Sequence, residues 1–240
     1  MLIDEIAACC KALKLGKSLV ENCRSITAES NEEYLLKLLK LELEHREACR
    51  REKKLKNAGF YTIKTFANYS FDDIRIPQGI TPQDLKDCSF IYEKKNLILY
   101  GNVGTGKSHL ATAIGVEACK QGLDVRFFRT AALVNRLSEA KKGGELSSFL
   151  KQFDKLDLVI CDEWGYVPLE REGAQLLFQI IADCYERKSV IITTNLEFSR
   201  WVNIFYDEQM TAAMIDRLMH HSYLLIFDGP SRRMQESLMR

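Results

Sequence analysis

The chain has 240 residues, of which 46% are hydrophobic and 28% charged, with 13 glycines and 4 prolines. That balance excludes wholesale disorder and collagen-like or linker-dominated sequence, and it suffices for one large α/β domain or one domain with a smaller appendage. Charge almost cancels at +1, no apolar run reaches the roughly 18–20 residues that span a bilayer, and no signal-peptide pattern occupies Met1 to Lys14, so a cytoplasmic location is expected.

In chain order, residues 1–58 read as helical. A segment opening with a polar cap at Asn31, with Glu32 and Glu33 in its first turn, suits the helix dipole. Leu36, Leu39 and Leu43, reinforced by Leu35, then trace one apolar face, and Gly59 is a suitable stop. Between Arg46 and Lys64 lie seven basic residues against two acidic, Glu47 and Glu52, which marks a basic patch in a nearly neutral chain. The stretch 65–93, with Pro77, Gly79 and Pro82, has no long period and reads as a connector packing on the next domain. The expected organisation is a helical N-terminal domain (1–64), this connector (65–93) and a larger second domain (94–240). The eight cysteines include no C-x-x-C, so reduced, mostly buried thiols are expected in place of a zinc ribbon or disulfide framework.

From Lys94 onward apolar strands alternate with helices. Strands are expected at 96–100, 124–128, 156–161, 189–193 and 223–227, and helices at 109–121, 131–142, 172–186 and 210–220. That alternation predicts an α/β fold with a parallel sheet flanked by helices, whose ligands bind at the carboxyl ends of the strands.

At the first such end stands Gly101-Asn102-Val103-Gly104-Thr105-Gly106-Lys107-Ser108, followed by His109, which fits G-x-x-x-x-G-K-[ST] between a strand and a helix. Glycines let successive N–H groups curl around phosphate, Lys107 is placed for the β- and γ-phosphates, and the Ser108 hydroxyl is placed for Mg²⁺. The strand Leu156-Asp157-Leu158-Val159-Ile160-Cys161-Asp162-Glu163 ends in two acids, Asp162 for the metal and Glu163 as general base for water. Ile191-Ile192-Thr193-Thr194-Asn195 ends a further strand, with Asn195 placed to share that water. Arg217, on the helix 210–220, and Arg233, after Gly229-Pro230, are candidate arginines for the transferred phosphoryl group. His220-His221 reads as packing and polar surface, because adjacent side chains diverge on a helix.

These motifs in this order resemble an AAA+ ATPase of the initiator and helicase-loader group. Asp162-Glu163-Trp164-Gly165-Tyr166-Val167-Pro168-Leu169, Ile181-Ala182-Asp183-Cys184-Tyr185-Glu186-Arg187 and Asp216-Arg217-Leu218-Met219-His220-His221 make the chain similar to IstB-type transposition helper ATPases. The resemblance implies an AAA+ P-loop core, ATP and Mg²⁺ as cofactors, and an ATP-dependent homo-oligomer on duplex DNA that regulates a partner transposase. It also implies Arg217 as a finger acting on a neighbour's ATP and Arg233 as the sensor reaching its own, with Arg232 able to exchange roles with Arg233. A helical insertion at 130–149 offers Arg136, Lys141 and Lys142 to the DNA backbone. The alternative reading is a replicative helicase loader built on the same engine.

Overall fold

The computed structural model describes residues 2–67, 69–166 and 170–235, so Val167, Pro168 and Leu169 of the D-E-W-G-Y-V-P-L run lie outside the described residues. The chain divides into two compact units, the first ending at Lys53 and the second starting at Lys54.

In the first unit, α1 (Leu2–Ala12) and α2 (Lys17–Asn22) precede the 28-residue α3 (Asn31–Ala58), whose last residues belong to the second unit. The capping contact comes one residue earlier than expected, since the Glu33 N–H donates to Ser30 Oγ at 3.2 Å. Glu42, buried on α3, accepts from the Gly16 N–H at 2.8 Å and from Arg46 Nε at 2.7 Å, tying the loop before α2 to the long helix. The leucine face does not bury as its spacing predicts: Leu35, Leu36, Leu39 and Leu43 are all exposed, Leu43 by 60%.

The second unit holds a six-stranded sheet. Its elements are β1 (Ile74–Arg75), α4 (Pro82–Asp87), α5 (Ser89–Tyr92), β2 (Asn96–Gly101), α6 (Lys107–Lys120), β3 (Val125–Arg129), α7 (Thr130–Lys142), α8 (Leu146–Lys151), β4 (Leu158–Trp164), α9 (Arg171–Cys184), β5 (Ser189–Thr194), α10 (Val202–Phe205), α11 (Glu208–His220), β6 (Ser222–Phe227) and α12 (Arg232–Gln235). The strand order is β1-β6-β2-β5-β4-β3, parallel throughout except for β1, which pairs antiparallel with β6. The stretch 65–93 is more ordered than a bare connector. Thr81 caps α4 in a reciprocal capping box with Asp84, and Pro82 fills the first turn, where its missing N–H costs nothing.

Alternation along the buried strands sorts the core into two layers. Leu97, Leu99, Ile160, Ile191 and Leu225 pack toward α4, α5 and α6, whereas Ile98, Val159, Cys161, Val190 and Ile192 pack toward α7, α9, α10 and α11. The second layer contains Trp164, fully buried against Trp201 and Phe205 at ring separations of 5.4 and 6.0 Å. Among the described residues all eight cysteines are free, with Cys10, Cys88, Cys119, Cys161 and Cys184 buried. Burial pushes the Cys88, Cys119 and Cys184 thiols up to about 12, where they behave as small apolar groups.

Candidate active site

The loop from Gly101 to Gly106 joins β2 to α6 with a backbone that side chains resist. Gly101, Gly104 and Gly106 have φ of 150°, 82° and 100°. A Cβ on Gly101 would stand 2.4 Å from the Phe227 carbonyl oxygen, and one on Gly104 would stand 2.1 Å from Ser231 Oγ. The chain therefore approaches too closely for any other residue. No side chain caps α6 at its start, Gly106. Lys107 Nζ donates to the carbonyls of Gly101 at 2.7 Å and Asn102 at 2.6 Å. Burial lowers its pKa to about 8, opposed by Asp162 and reinforced by Arg233.

Asp162, only 5% exposed, accepts hydrogen bonds at Oδ1 from the Ser108 hydroxyl at 2.7 Å and from the Thr193 hydroxyl. Its main-chain oxygen accepts from Thr130 Oγ1 at 2.8 Å. The strand does not stop at Cys161 as predicted but runs on to Trp164 through a bulge. Cys161 pairs with Ile192 and Trp164 with Thr194, so β4 has one residue more than β5 across that interval. The extra residue turns Glu163 outward in a left-handed conformation, φ 59°, and returns Trp164 to the core. The Glu163 N–H donates to Thr193 Oγ1 at 3.0 Å, so one threonine hydroxyl links both acids. Beyond it, Glu163 Oε2 lies 3.7 Å from Arg129 Nε, and the Arg129 guanidinium covers the Tyr61 ring at 4.5 Å.

A cleft of about 470 Å³ gathers these groups. Val103, Gly104, Gly106, Lys107, Ser108 and His109 line it together with Asp162, Glu163, Thr193, Asn195, Arg232 and Arg233. Tyr61, Thr62, Lys64 and Arg129 close it further. Arg232 is held by several partners. Its N–H donates to the Gly104 carbonyl at 3.0 Å, its guanidinium to the Ser70 carbonyl at 3.2 Å, and it covers the Tyr69 ring at 5.4 Å. Arg233 is exposed, lines the same cleft and presses electrostatically on Lys107. Arg217 is not brought to this cleft; it sits on α11, donates to the Ala213 carbonyl at 3.1 Å and packs over Phe178 at 5.4 Å.

The expected insertion at 130–149 is split into α7 and α8 by Gly143 and Gly144. Arg136 lies over Phe149 at 5.6 Å, Lys141 pairs with Glu172 at 2.6 Å, and Lys142 is exposed at the helix end. Sequence reading missed Tyr61, Thr130 and Arg129. The last ends a strand beside the acidic one, which was the available signal.

An uncapped helix start and a half-buried lysine meet at this loop, an arrangement that suits an anion. The hydroxyl–carboxylate pair Ser108–Asp162 is a hard-oxygen donor set, which fits Mg²⁺ and not a thiolate- or imidazole-seeking ion.

Residues 11–239 match the family described as IstB-like ATP binding protein. The chain is 36% identical over 217 residues to the insertion sequence IS5376 putative ATP-binding protein of Geobacillus stearothermophilus, covering 88% of this chain and 84% of that one. It is 34% identical over 207 residues to the IS232 putative ATP-binding protein of Bacillus thuringiensis subsp. berliner, covering 85% and 82%. Among solved structures it resembles AMPPCP-bound DnaA from Aquifex aeolicus, with a TM-score of 0.55 at 19% identity over 71% of this chain and 52% of that one. It also resembles DnaI, with a TM-score of 0.51 at 18% identity over 71% and 90%. At those identities the likeness is one of fold.

Proposed function

The chain belongs to the IstB-like ATP-binding protein family of insertion sequences, and from that premise we propose that it hydrolyses ATP to control its own assembly on duplex DNA in the service of a partner transposase. The observation that carries this reading is the Ser108–Asp162 hydrogen bond of 2.7 Å beside the half-buried Lys107, in one cleft with Glu163 and Asn195. The Lys107 ammonium and the first N–H groups of α6 would hold the β- and γ-phosphates of a triphosphate. Ser108 and Asp162 hold Mg²⁺, which supplies charge neutralisation to the phosphates. Glu163 takes the proton of a water that Asn195 orients, and the water attacks the γ-phosphorus in line. Thr62, Lys64 and His109 line the same cleft. Arg233 meets the γ-phosphate of its own subunit while Arg232 braces the loop through its N–H on the Gly104 carbonyl. Arg217, directed away from its own cleft, completes the site of a neighbouring copy, which makes the homo-oligomer the active form.

DNA is followed through its backbone by Lys142, with Arg136 and Lys141 of α7 beside it, and the helical segment before the core presents its basic stretch to DNA or transposase. Phosphate release by the full chain with ATP and Mg²⁺, measured alone, with duplex and with single-stranded DNA, tests the reading. Stimulation by duplex is expected. Stimulation by single strands alone points to a helicase loader, and an absence of turnover under all three conditions removes the ATPase.

A further inference from the structure

Away from the nucleotide cleft, Glu186, His220 and His221 bring one ligand atom each within 4.8 Å of one another, the one such group of metal-ligating side chains among the described residues. None of the three lines the cleft. The two histidines do not diverge as neighbours on a helix do. Helix α11 ends at His220, and His221 leaves it with φ −127° and ψ 36°, which brings the ring centroids to 4.2 Å. Glu186 arrives from the turn after α9, with a left-handed φ of 55°.

The local bonding prepares these atoms for an ion. Tyr185 Oη lies 2.8 Å from His220 Nδ1. With Nδ1 protonated toward the phenol oxygen, Nε2 of His220 keeps its lone pair, which is how an outer oxygen orients a ligating imidazole. His221 Nε2 lies 3.1 Å from Glu186 Oε1. Two donors bound at about 2.0–2.1 Å in a tetrahedron stand roughly 3.3 Å apart, so this pair is already at ligand spacing. His221 is half-buried while Glu186 and His220 reach solvent, which leaves an entry path and an open position for water.

We propose that Glu186, His220 and His221 bind a divalent transition cation of the zinc class, with water as fourth ligand. Two imidazoles and one carboxylate suit such an ion, whereas Mg²⁺ and Ca²⁺ take oxygen donors. On binding, the hydrogen bond between His221 and Glu186 gives way to two metal bonds, and the displaced proton goes to solvent. The ion clips the end of α11 to the turn between α9 and β5. The site stands whether or not the chain hydrolyses ATP.

Co²⁺ is the probe, titrated into the full chain without nucleotide and in excess Mg²⁺, which occupies oxygen-only sites. One Co²⁺ per chain is expected, with the visible absorption of a four-coordinate ion, without the near-ultraviolet thiolate-to-cobalt band that cysteine ligation gives, and displaceable by Zn²⁺. Glu186→Gln and His221→Ala should each weaken binding by about tenfold or more, and Tyr185→Phe, which keeps all three ligands, by about tenfold. Zn²⁺ should raise the Tm of the unsubstituted chain and not that of Glu186→Gln. Circular dichroism confirms that each variant is folded, and Glu186→Gln, an exposed and nearly isosteric change, carries the test if His221→Ala is not. Failure to take up Co²⁺, uptake with a thiolate band, or uptake unchanged in folded Glu186→Gln overturns the proposal.

Discussion

Arg129 holds Glu163 from the neighbouring strand end, Nε to Oε2 at 3.7 Å, with the guanidinium laid on the Tyr61 ring. The carboxylate proposed to take the proton of the attacking water is therefore engaged by a cation, which draws it aside. Both partners are about half exposed, so the pair adds little to stability. Arg129→Ala is expected to leave the Tm nearly unchanged and to raise DNA-independent phosphate release by up to about fivefold, the rate equivalent of an exposed ion pair. Lower basal turnover in a fully folded Arg129→Ala would show that the arginine assists the base.

Glu163 also sits in a left-handed conformation, φ 59°, imposed by the bulge between Cys161 and Trp164. A residue with a Cβ is strained there by about 1–2 kcal/mol. Glu163→Gly should therefore be more stable than Glu163→Ala by about 1 kcal/mol in urea unfolding. Both should lose turnover, and Glu163→Gln, which keeps shape and hydrogen bonding, should bind ATP yet hydrolyse it about 10²–10⁴-fold more slowly. Equal stability of the glycine and alanine variants counts against the strain, and rapid hydrolysis by Glu163→Gln counts against the base.

Lys107 gives the site a pH dependence. Burial holds its pKa at about 8, below the ordinary 10.5 of lysine, so its ammonium is charged at pH 7 and is lost as pH rises through that value. Triphosphate affinity should fall between pH 7 and 9, and Lys107→Arg, which stays charged, should flatten the profile. Stability runs the other way. The unfolded chain binds the proton more tightly, so the ammonium's burial penalty is present in full below about pH 8 and is relieved as pH rises from there toward 10.5. Urea unfolding of the nucleotide-free chain at pH 7 and 9, compared with Lys107→Met, reads this contribution; a difference that does not narrow with rising pH contradicts it.

How far the sequence disclosed this site depends on the range of the forces involved. The phosphate loop and the strands at 96–100 and 189–193 are local signals, apolar runs ending at glycines or polar residues, and they fold where periodicity places them. The acidic strand runs on to Trp164 because the bulge depends on pairing with β5, which no local pattern reveals. The two-residue β1 exists only through its ladder with β6, and the Arg129–Glu163 contact only because β3 and β4 are neighbours. His220 and His221 converge because α11 ends between them, a boundary residue on which the whole side-chain direction turns. The exposed Leu35, Leu36, Leu39 and Leu43 show the converse: a helical period without a facing partner inside its own unit.

Arg217 tests whether the site is shared. In one chain its guanidinium is spent on the Ala213 carbonyl and the Phe178 ring, and it does not reach the cleft, so any role in hydrolysis must be exerted on another copy. Arg217→Ala should fold and bind ATP but fail to hydrolyse it. Mixing it with Glu163→Gln, which is inactive for a different reason, creates interfaces in which an intact Glu163 faces an intact Arg217. In an equal mixture that assembles at random, about one site in four has that composition. Phosphate release should therefore return to roughly a quarter of the unsubstituted rate, while either variant alone stays silent. A mixture no more active than its components would mean that Arg217 acts only within its own chain, and the neighbour-completed site would have to be abandoned.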